Sequence, residues 1–475
     1  MILSKKWFYL FLSSFLFINL LVVFLKPIST DPSVYWFYAH HLRWIYQDAP
    51  PLIGVVTWLG ISVFGSHSAT INFLGLLSIL ISARFLYLLA KLMFDENMAR
   101  LVTLIWLITP ATSYIYVRWS WSYNNLILLF WMMTLYFFYQ AGKTKIPRYF
   151  YFTALSLAGA ILSQVNSGLL VAIVLLVVVT LSSYRQCLKN QHFYYAIILL
   201  LLMISPYLIP LIKSGFTPLT FLVTSHANIS LSSFFFKPML SLWNEIINAI
   251  NLFFVLGLLL IIKNFKTIKK NEDLMFCLLT CGVLLGVAIL GALKYNVAIR
   301  YYYPFYFTFI LLFIPFLKKP WVTWLIAAIY INVALFLVDS FNVLIPKYGI
   351  AQGSYTFYNK NFEIIGHEIK QQVQENDLLI PCGFQQDFTT LAFHADHLNT
   401  YFESPGLFIW QAPLQKILTQ NKGNKIFYLC DSPTPSQGLG LNCGHFQTFS
   451  STRDHQFPKR HFTNTYYLSQ CTYKN

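Results

Sequence analysis

Ser29-Thr30-Asp31-Pro32-Ser33-Val34-Tyr35-Trp36-Phe37-Tyr38-Ala39-His40-His41-Leu42-Arg43-Trp44-Ile45-Tyr46-Gln47-Asp48-Ala49-Pro50-Pro51 is the stretch that decides how this chain is read. Asp31 followed by Pro32 has the form of a helix N-cap and first turn. An Asp side chain accepts from the unpaired first amides, and proline has no amide to leave unpaired. The pair predicts a helix that Pro50-Pro51 ends. Val34, Phe37, Tyr38 and Ile45 give it an apolar stripe, with His40, His41 and Arg43 on a polar face. Such a helix would lie along a membrane surface with Trp36 and Trp44 at headgroup depth. Asp31 and Asp48 would then stand near a membrane–water boundary.

The flanking sequence supplies the membrane. The apolar run 7–25 is close to the roughly 20 residues that cross a bilayer. Lys5 and Lys6 precede it and no small-residue cleavage site follows, so it reads as a retained anchor. Comparable runs recur at 69–93, 101–117, 122–140, 150–165, 167–184, 194–212, 245–262, 274–293, 301–317 and 321–339, predicting about eleven spans. Composition agrees. Of the 475 residues 57% are hydrophobic and only 11% charged, with a mean hydropathy of +0.57. A soluble protein carries roughly 25% charged residues, and this chain has too few to cover a soluble surface.

The net charge of +16 does not point to nucleic acid, because the basic residues sit between apolar runs and form no continuous face. Lys5-Lys6, Lys143/Lys145/Arg148, Lys263/Lys266/Lys269/Lys270 and Lys318-Lys319 read as topology signals. With the N-terminus inside, about fifteen basic residues face in and about seven face out, the asymmetry of the positive-inside rule. The tail is then outside. Residues 1–340 form the membrane domain, whose first outer loop, 26–68, bears interfacial helices; a second long outer segment lies at 213–244. Residues 341–475 carry more charge and more turn residues. Leu378-Leu379-Ile380 and Ile426-Phe427-Tyr428-Leu429 read as strands, and Phe362–Val373 and Pro413–Thr419 as amphipathic helices, so this is a small outer α/β domain. Its cysteines, Cys382, Cys430, Cys443 and Cys471, lie where disulfides are permitted, in a pairing the sequence leaves open. Cys187, Cys277 and Cys281 lie in or beside apolar runs and read as core.

From the residues alone, Asp31 and Asp48 have two readings, a capping or solvated acid and a catalytic one. The pattern around them resembles the first periplasmic loop of the GT-C glycosyltransferases: the protein O-mannosyltransferases, the lipid A aminoarabinose transferases and, nearest, the rhizobial lipopolysaccharide core transferases. The last group has a signature similar to Asp-Glu-x-Tyr-Tyr-x-x-x-Ala, Tyr-x-Asp-His-Pro-Pro and Leu-Phe-Gly. Here these stand as Asp31-Pro32-Ser33-Val34-Tyr35-Trp36 with Ala39, Tyr46-Gln47-Asp48-Ala49-Pro50-Pro51 and Val63-Phe64-Gly65. Ser122-Tyr123-Asn124-Asn125-Leu126 to Phe130-Trp131, Leu162-Ser163-Gln164-Val165-Asn166-Ser167, and Asp387 to His394 with Trp410 also resemble family segments, in order. The chain departs from the pattern at Pro32 (usually Glu), Ala49 (His or Lys), Asn72 (Arg), Asn124 (Asp) and Gln164 (Lys).

The resemblance implies transfer of a sugar from a polyprenyl-phosphate donor to a glycolipid or glycan of the lipopolysaccharide core or lipid A type, with inversion, outside the bacterial inner membrane. It implies Asp31 as general base and Asp48 as second loop acid. Arg118, Arg300 and Tyr302 are the candidates for the donor phosphate, with interfacial snorkelling as the plainer account of the arginines. His40, His41 and Asn124 are candidate acceptor or orienting groups; Asn124 can hydrogen-bond but not ionise. No cofactor is implied with certainty. Some relatives allow a divalent metal, and no ligand spacing here matches one. Two rivals stay open: a catalytically silent scaffold of the same fold, which would tolerate loss of Asp31, and a lipid or sugar transporter. The transporter would need ionisable residues buried in the membrane, for which Arg84 is the main candidate.

Overall fold

The computed structural model describes residues 5–46, 49–109, 112, 121–216, 252–294, 304–317, 319–344, 353–382, 385–396, 400, 417–418, 425–430, 441–456 and 459–473. In chain order the helices are α1 (Lys5–Leu25), α2 (Thr30–His40), α3 (Leu52–Phe64), α4 (Ser68–Met93), α5 (Glu96–Ile108), α6 (Tyr123–Thr144), α7 (Pro147–Ser163), α8 (Gly168–Thr180), α9 (Ser182–Arg185) and α10 (Gln191–Lys213). They continue with α11 (Leu252–Lys263), α12 (Phe265–Lys270), α13 (Glu272–Lys294), α14 (Pro304–Phe313), α15 (Lys319–Leu344), α16 (Gly353–Lys370) and α17 (Gln385–Ala395). The strands are β1 (Leu378–Pro381), β2 (Ile426–Cys430), β3 (Leu441–Cys443), β4 (Gln447–Gln456) and β5 (Lys459–Tyr473).

Each of the eleven apolar runs contains a helix. Among the described residues α1, α4, α6 and α10 are long and apolar enough to cross a membrane, and a fifth crossing is counted if the pair Val165–Thr180 and Ser182–Lys189, bent by 99°, is one broken span. The bend falls at Leu181, whose extended backbone ends α8 and leads into Ser182. Arg84, the main candidate of the transporter reading, is not covered by protein; it is exposed on α4 with its guanidinium 5.6 Å from the Tyr87 ring.

The chain divides into two compact units. The first comprises Met1–Leu20, Ala49–Leu52 and Leu74–Asp339. Within it α6 and α7 form a helical hairpin: Lys145 takes the left-handed conformation (φ 58°) and its amide closes α6 on Ala141 O at 3.0 Å. Pro147 then opens α7 at a position where no amide is needed. At this end Lys143 pairs with Asp273 (2.6 Å) and Glu272 (3.6 Å), and Glu272 accepts from the Ser183 amide at 2.9 Å, tying α6, α9 and α13 together. Gly142 lies against the fully buried Tyr184 ring, so close that a Cβ there would overlap the ring carbons. Gly142→Ala is therefore expected to cost about 1–3 kcal/mol by overpacking. Its thermal midpoint in detergent should fall, while a surface control such as Lys189→Ala should not move it.

The second unit comprises Leu21–Asp48, Ile53–Phe73 and Ser340–Asn475. The first loop, apart from Ala49–Leu52, thus groups with the tail. The sheet has the order β1-β2-β5-β3, with β4 also on β5. β1 runs parallel to β2 in the register Leu378↔Ile426, and β5 runs antiparallel to β2, β3 and β4. Continuous burial of β1 and β2 explains their unbroken apolar sequence. Leu378, Ile380, Ile426 and Tyr428 form a core with Ile417 and Leu418. Cys382 pairs with Cys430 at the β1–β2 end, and Cys443 with Cys471 directly across β3 and β5. Both pairings join four cysteines whose partners the sequence left open, and Cys187, Cys277 and Cys281 are buried thiols. The expected helix at Phe362–Val373 corresponds to α16. Of Pro413–Thr419, Ile417 and Leu418 are helical and the rest lies outside the described residues.

Candidate functional site

α2 departs from the surface helix expected above in three ways. It starts at Thr30 with Ser29 as N-cap, so Asp31 occupies the first turn and is not the cap. It ends at His40, well short of Pro50, because Tyr46 folds the chain back. The Tyr46 hydroxyl donates towards Tyr38 O (3.1 Å) and His41 O (3.2 Å), carbonyls at the helix end, and its ring stacks on Tyr38 at 3.9 Å. Gly54 makes room for that hydroxyl, since a Cβ there would stand 2.9 Å from it. Most of all, α2 does not present one face to lipid headgroups. Every residue from Pro32 to Ala39 is buried, and Trp36, expected at headgroup depth, is 1% exposed with its ring edge-on to Phe393 of α17 at 5.3 Å. An eleven-residue helix with apolar side chains all round is a core helix, and protein covers it.

The entry to α2 is equally fixed. Asn72, which stands where the resembled family has Arg, donates its amide Nδ2 to Val23 O (3.2 Å) and Lys26 O (2.8 Å), pinning the end of α1 and the 26–29 connection. The Lys26 side chain is 1% exposed. At the other end of the loop α3 closes with Gly65 at φ +83°, a left-handed cap that donates to Ile61 O at 2.9 Å. The Trp36 indole donates to Ser66 Oγ at 2.7 Å.

Asp31 thus sits, partly buried, on a helix held from both ends and from the side. Ser33, two residues on, has its hydroxyl 3.0 Å from Thr389 Oγ1 and 2.9 Å from Thr390 Oγ1 on α17. His40 stacks its ring edge-on with Trp36 at 4.9 Å and is exposed. His41 caps α2 and donates from Nδ1 to Phe37 O at 3.0 Å. Asn124 lies in the first turn of α6 in the other unit. Ser122 and Asn125 cap that helix reciprocally, while Asn124 Oδ1 and Gln164 Oε1 are buried with no hydrogen-bond partner among the described residues. Asp48, Arg118, Arg300 and Tyr302 lie outside the described residues. Sequence reasoning missed Ser33, Thr389 and Thr390, and no local signal marks a contact between residues more than 350 positions apart.

Burial lowers the pKa of His41 from its ordinary 6.5, helped by the charges of His40 and Arg43 and opposed by the Phe37 bond. The fold therefore holds the neutral ring, whereas the unfolded chain takes up a proton near pH 6.5. The stability this contributes is complete above that pH and is lost as the pH falls towards the lowered folded value. Between about pH 7.5 and pH 5.5 the melting temperature should fall in wild type, and the slope should be shallower in His41→Gln, as read by scanning fluorimetry.

The family model for dolichyl-phosphate-mannose-protein mannosyltransferases matches residues 48–209. The crystal structure of ArnT from Cupriavidus metallidurans bound to undecaprenyl phosphate is similar over 98% of this chain and 98% of its own, at a TM-score of 0.69 and 13% identity. Its apo state gives 0.65 over the same coverage. The fold is that of ArnT. The archaeal oligosaccharyltransferase AglB from Archaeoglobus fulgidus is similar over 90% of this chain and 70% of its own, at a TM-score of 0.49 and 12% identity. No curated protein matches by sequence. The family match ends within α10, so likeness in sequence is carried by the membrane segments, while likeness in fold extends through the C-terminal sheet.

Proposed function

We propose that the protein is a GT-C glycosyltransferase moving a sugar from a polyprenyl-phosphate donor to an envelope glycolipid or glycan, of the lipopolysaccharide core or lipid A type, outside the membrane. The observation that carries this is a likeness in fold to ArnT over 98% of both chains, ArnT having been solved with undecaprenyl phosphate bound. The order of motifs that resembles the rhizobial core transferases supports the finer acceptor class.

In this reading Asp31 takes the proton of the acceptor hydroxyl. The freed oxygen attacks the anomeric carbon, the bond from that carbon to the phosphate oxygen breaks, and the phosphate leaves with the electron pair, inverting the centre. Asp48 assists in the loop, His40 and His41 contact the acceptor, Asn124 orients by hydrogen bonding, and Arg118, Arg300 and Tyr302 receive the phosphate charge. Among the described residues no three His, Cys, Asp or Glu side chains are grouped to hold a metal ion. No step here is routed through one. The proposed setting is the bacterial inner membrane, with the N-terminus inside, residues 1–340 as membrane domain and 341–475 in the periplasm.

Mass spectrometry of envelope glycolipids from a deletion strain and its complemented counterpart tests the reading. A sugar-sized mass lost on deletion and restored by the gene is expected, and it names the donor sugar; identical glycolipids would remove the proposal. The buried neutral amides of Asn124 and Gln164, where the family has charged residues, favour one second reading, a silent scaffold of this fold. Such a protein would leave no mass difference.

A further inference from the structure

We infer that the C-terminal domain orients the candidate base, through a hydroxyl trio in which Ser33 of α2 meets Thr389 and Thr390 of α17. This rests on the glycosyl-transfer reading and adds positioning residues to it. Three features of the second unit carry it.

The contact is a two-point dock along one helix face. Ser33, Trp36 and His40 follow one another at i, i+3 and i+7 and so share a face of α2. On α17, Thr389 and Phe393 are four residues apart and Thr390 and Phe393 three apart, so they share a face as well. Ser33 meets the two threonines at 3.0 and 2.9 Å, and Trp36 meets Phe393 one turn further on. Asp31 is offset from Ser33 by about 200° around the helix. It lies on the opposite face with Tyr35 and Tyr38, at i+4 and i+7. The dock therefore grips one side of α2 and leaves the acid on the other.

Apolar burial alone does not select that rotation. Pro32 to Ala39 are all buried, and the hydrophobic effect is non-directional. A roll of one residue, about 100°, would exchange one apolar surface for another and carry Asp31 away from its place. Ser33 is the one aliphatic hydroxyl in that buried run. A hydroxyl can donate one hydrogen bond and accept others, so between two threonines it can give to one and receive from the other. Its contacts are directional, and any other roll breaks both of them.

The support behind α17 is close and unyielding. Gly366 of α16 faces α17 where an added Cβ would meet Leu391 O at 3.1 Å and overlap the Cβ of His394, so the two helices are in near backbone contact. α17 is thus backed by α16, and the hydroxyls of Thr389 and Thr390, both buried completely, are fixed points for α2.

The test compares envelope glycolipid product and thermal midpoint in wild type, Asp31→Asn, Ser33→Ala, Thr389→Ser/Thr390→Ser and the triple variant Ser33→Ala/Thr389→Val/Thr390→Val, at matched protein level. Ser33→Ala is expected to lower product formation about 10- to 100-fold, the scale of a small misplacement of a reacting group. The double serine variant keeps all three hydroxyls and should retain most activity. The triple variant is decisive. Replacing all three hydroxyls by apolar groups leaves no member of the trio facing a lost partner within it, so its midpoint should return near wild type. The orienting bonds stay absent, so its activity should stay low. A merely structural role predicts recovery of both. Full activity in Ser33→Ala beside an inactive Asp31→Asn would overturn the positioning role alone. Full activity in Asp31→Asn would overturn the underlying assignment of the base.

Discussion

Asp31→Asn at unchanged protein level is expected to reduce sugar transfer by roughly 10²–10⁴-fold, the usual contribution of general base catalysis. The substitution isolates the chemistry. Asn has the same shape as Asp and keeps one accepting oxygen, but its amide nitrogen donates where the carboxylate accepts, and it cannot take a proton from an acceptor hydroxyl. Asp31 lies in the first turn of α2 and is not its N-cap, and a charge there is worth about 0.3–1 kcal/mol through the helix dipole. The burial of Pro32 to Ala39, the Ser33 contacts and the Tyr46 closure all survive the change. A loss of product with an unchanged melting temperature would therefore assign the proton transfer to Asp31. Asp48→Asn, made in parallel, should cost less, because the reading gives it an assisting role. Undiminished product in Asp31→Asn would remove the proposed base, and undiminished product in both would leave neither loop acid in the chemistry.

Local pattern made much of this architecture legible and distant contacts hid the rest. Each apolar run holds a helix, and four of these among the described residues are long and apolar enough to cross a bilayer, because such lengths and compositions are written residue by residue. Leu378 to Ile380 and Ile426 to Leu429 were legible as strands for the same reason: a strand buried on both faces is a short unbroken apolar run. The first loop was misread in its surroundings, though not in its existence. Its aromatic density fits a headgroup-level helix as well as a core helix, and what separates the two is α17, about 350 positions downstream. The early end of α2 depends on one hydroxyl, that of Tyr46, reaching back to carbonyls that periodicity cannot see. Arg84 was placed by its position within a run, whereas its exposure follows from which face of α4 meets protein. Of the candidate site, Asp31, His40 and His41 were singled out as candidates by residue type at the end of a span. Ser33, Thr389 and Thr390 carry no such mark, since a serine and two threonines acquire meaning only when their helices meet.

Loss of the two disulfides is expected to be the most damaging change that leaves every candidate catalytic residue in place. Cys382–Cys430 and Cys443–Cys471 span 48 and 28 positions. By the loop-entropy relation these closures contribute about 4 and about 3.6 kcal/mol. Together they rival the whole stability of an ordinary domain, about 5–15 kcal/mol. Both act on the strands that organise the sheet: Cys430 ends β2, and Cys471 lies in β5, which pairs with β2, β3 and β4. Reduction should therefore loosen the sheet, then the α16–α17 pair within the same unit, and with it the face that holds Ser33. Membranes treated with a reductant, or a variant with all four cysteines changed to serine, should show protease cleavage within 341–475 and lose transfer, although Asp31 is untouched. Cys187, Cys277 and Cys281 are buried, as are Cys430 and Cys471, so alkylation of the native reduced protein should mark Cys382 and Cys443, the partly buried member of each pair, first. An unchanged cleavage pattern with unchanged product after complete reduction would show that the sheet stands without its cross-links. Cleavage of the tail with product intact would separate the C-terminal domain from the chemistry, and the orienting role of Thr389 and Thr390 would fall with it.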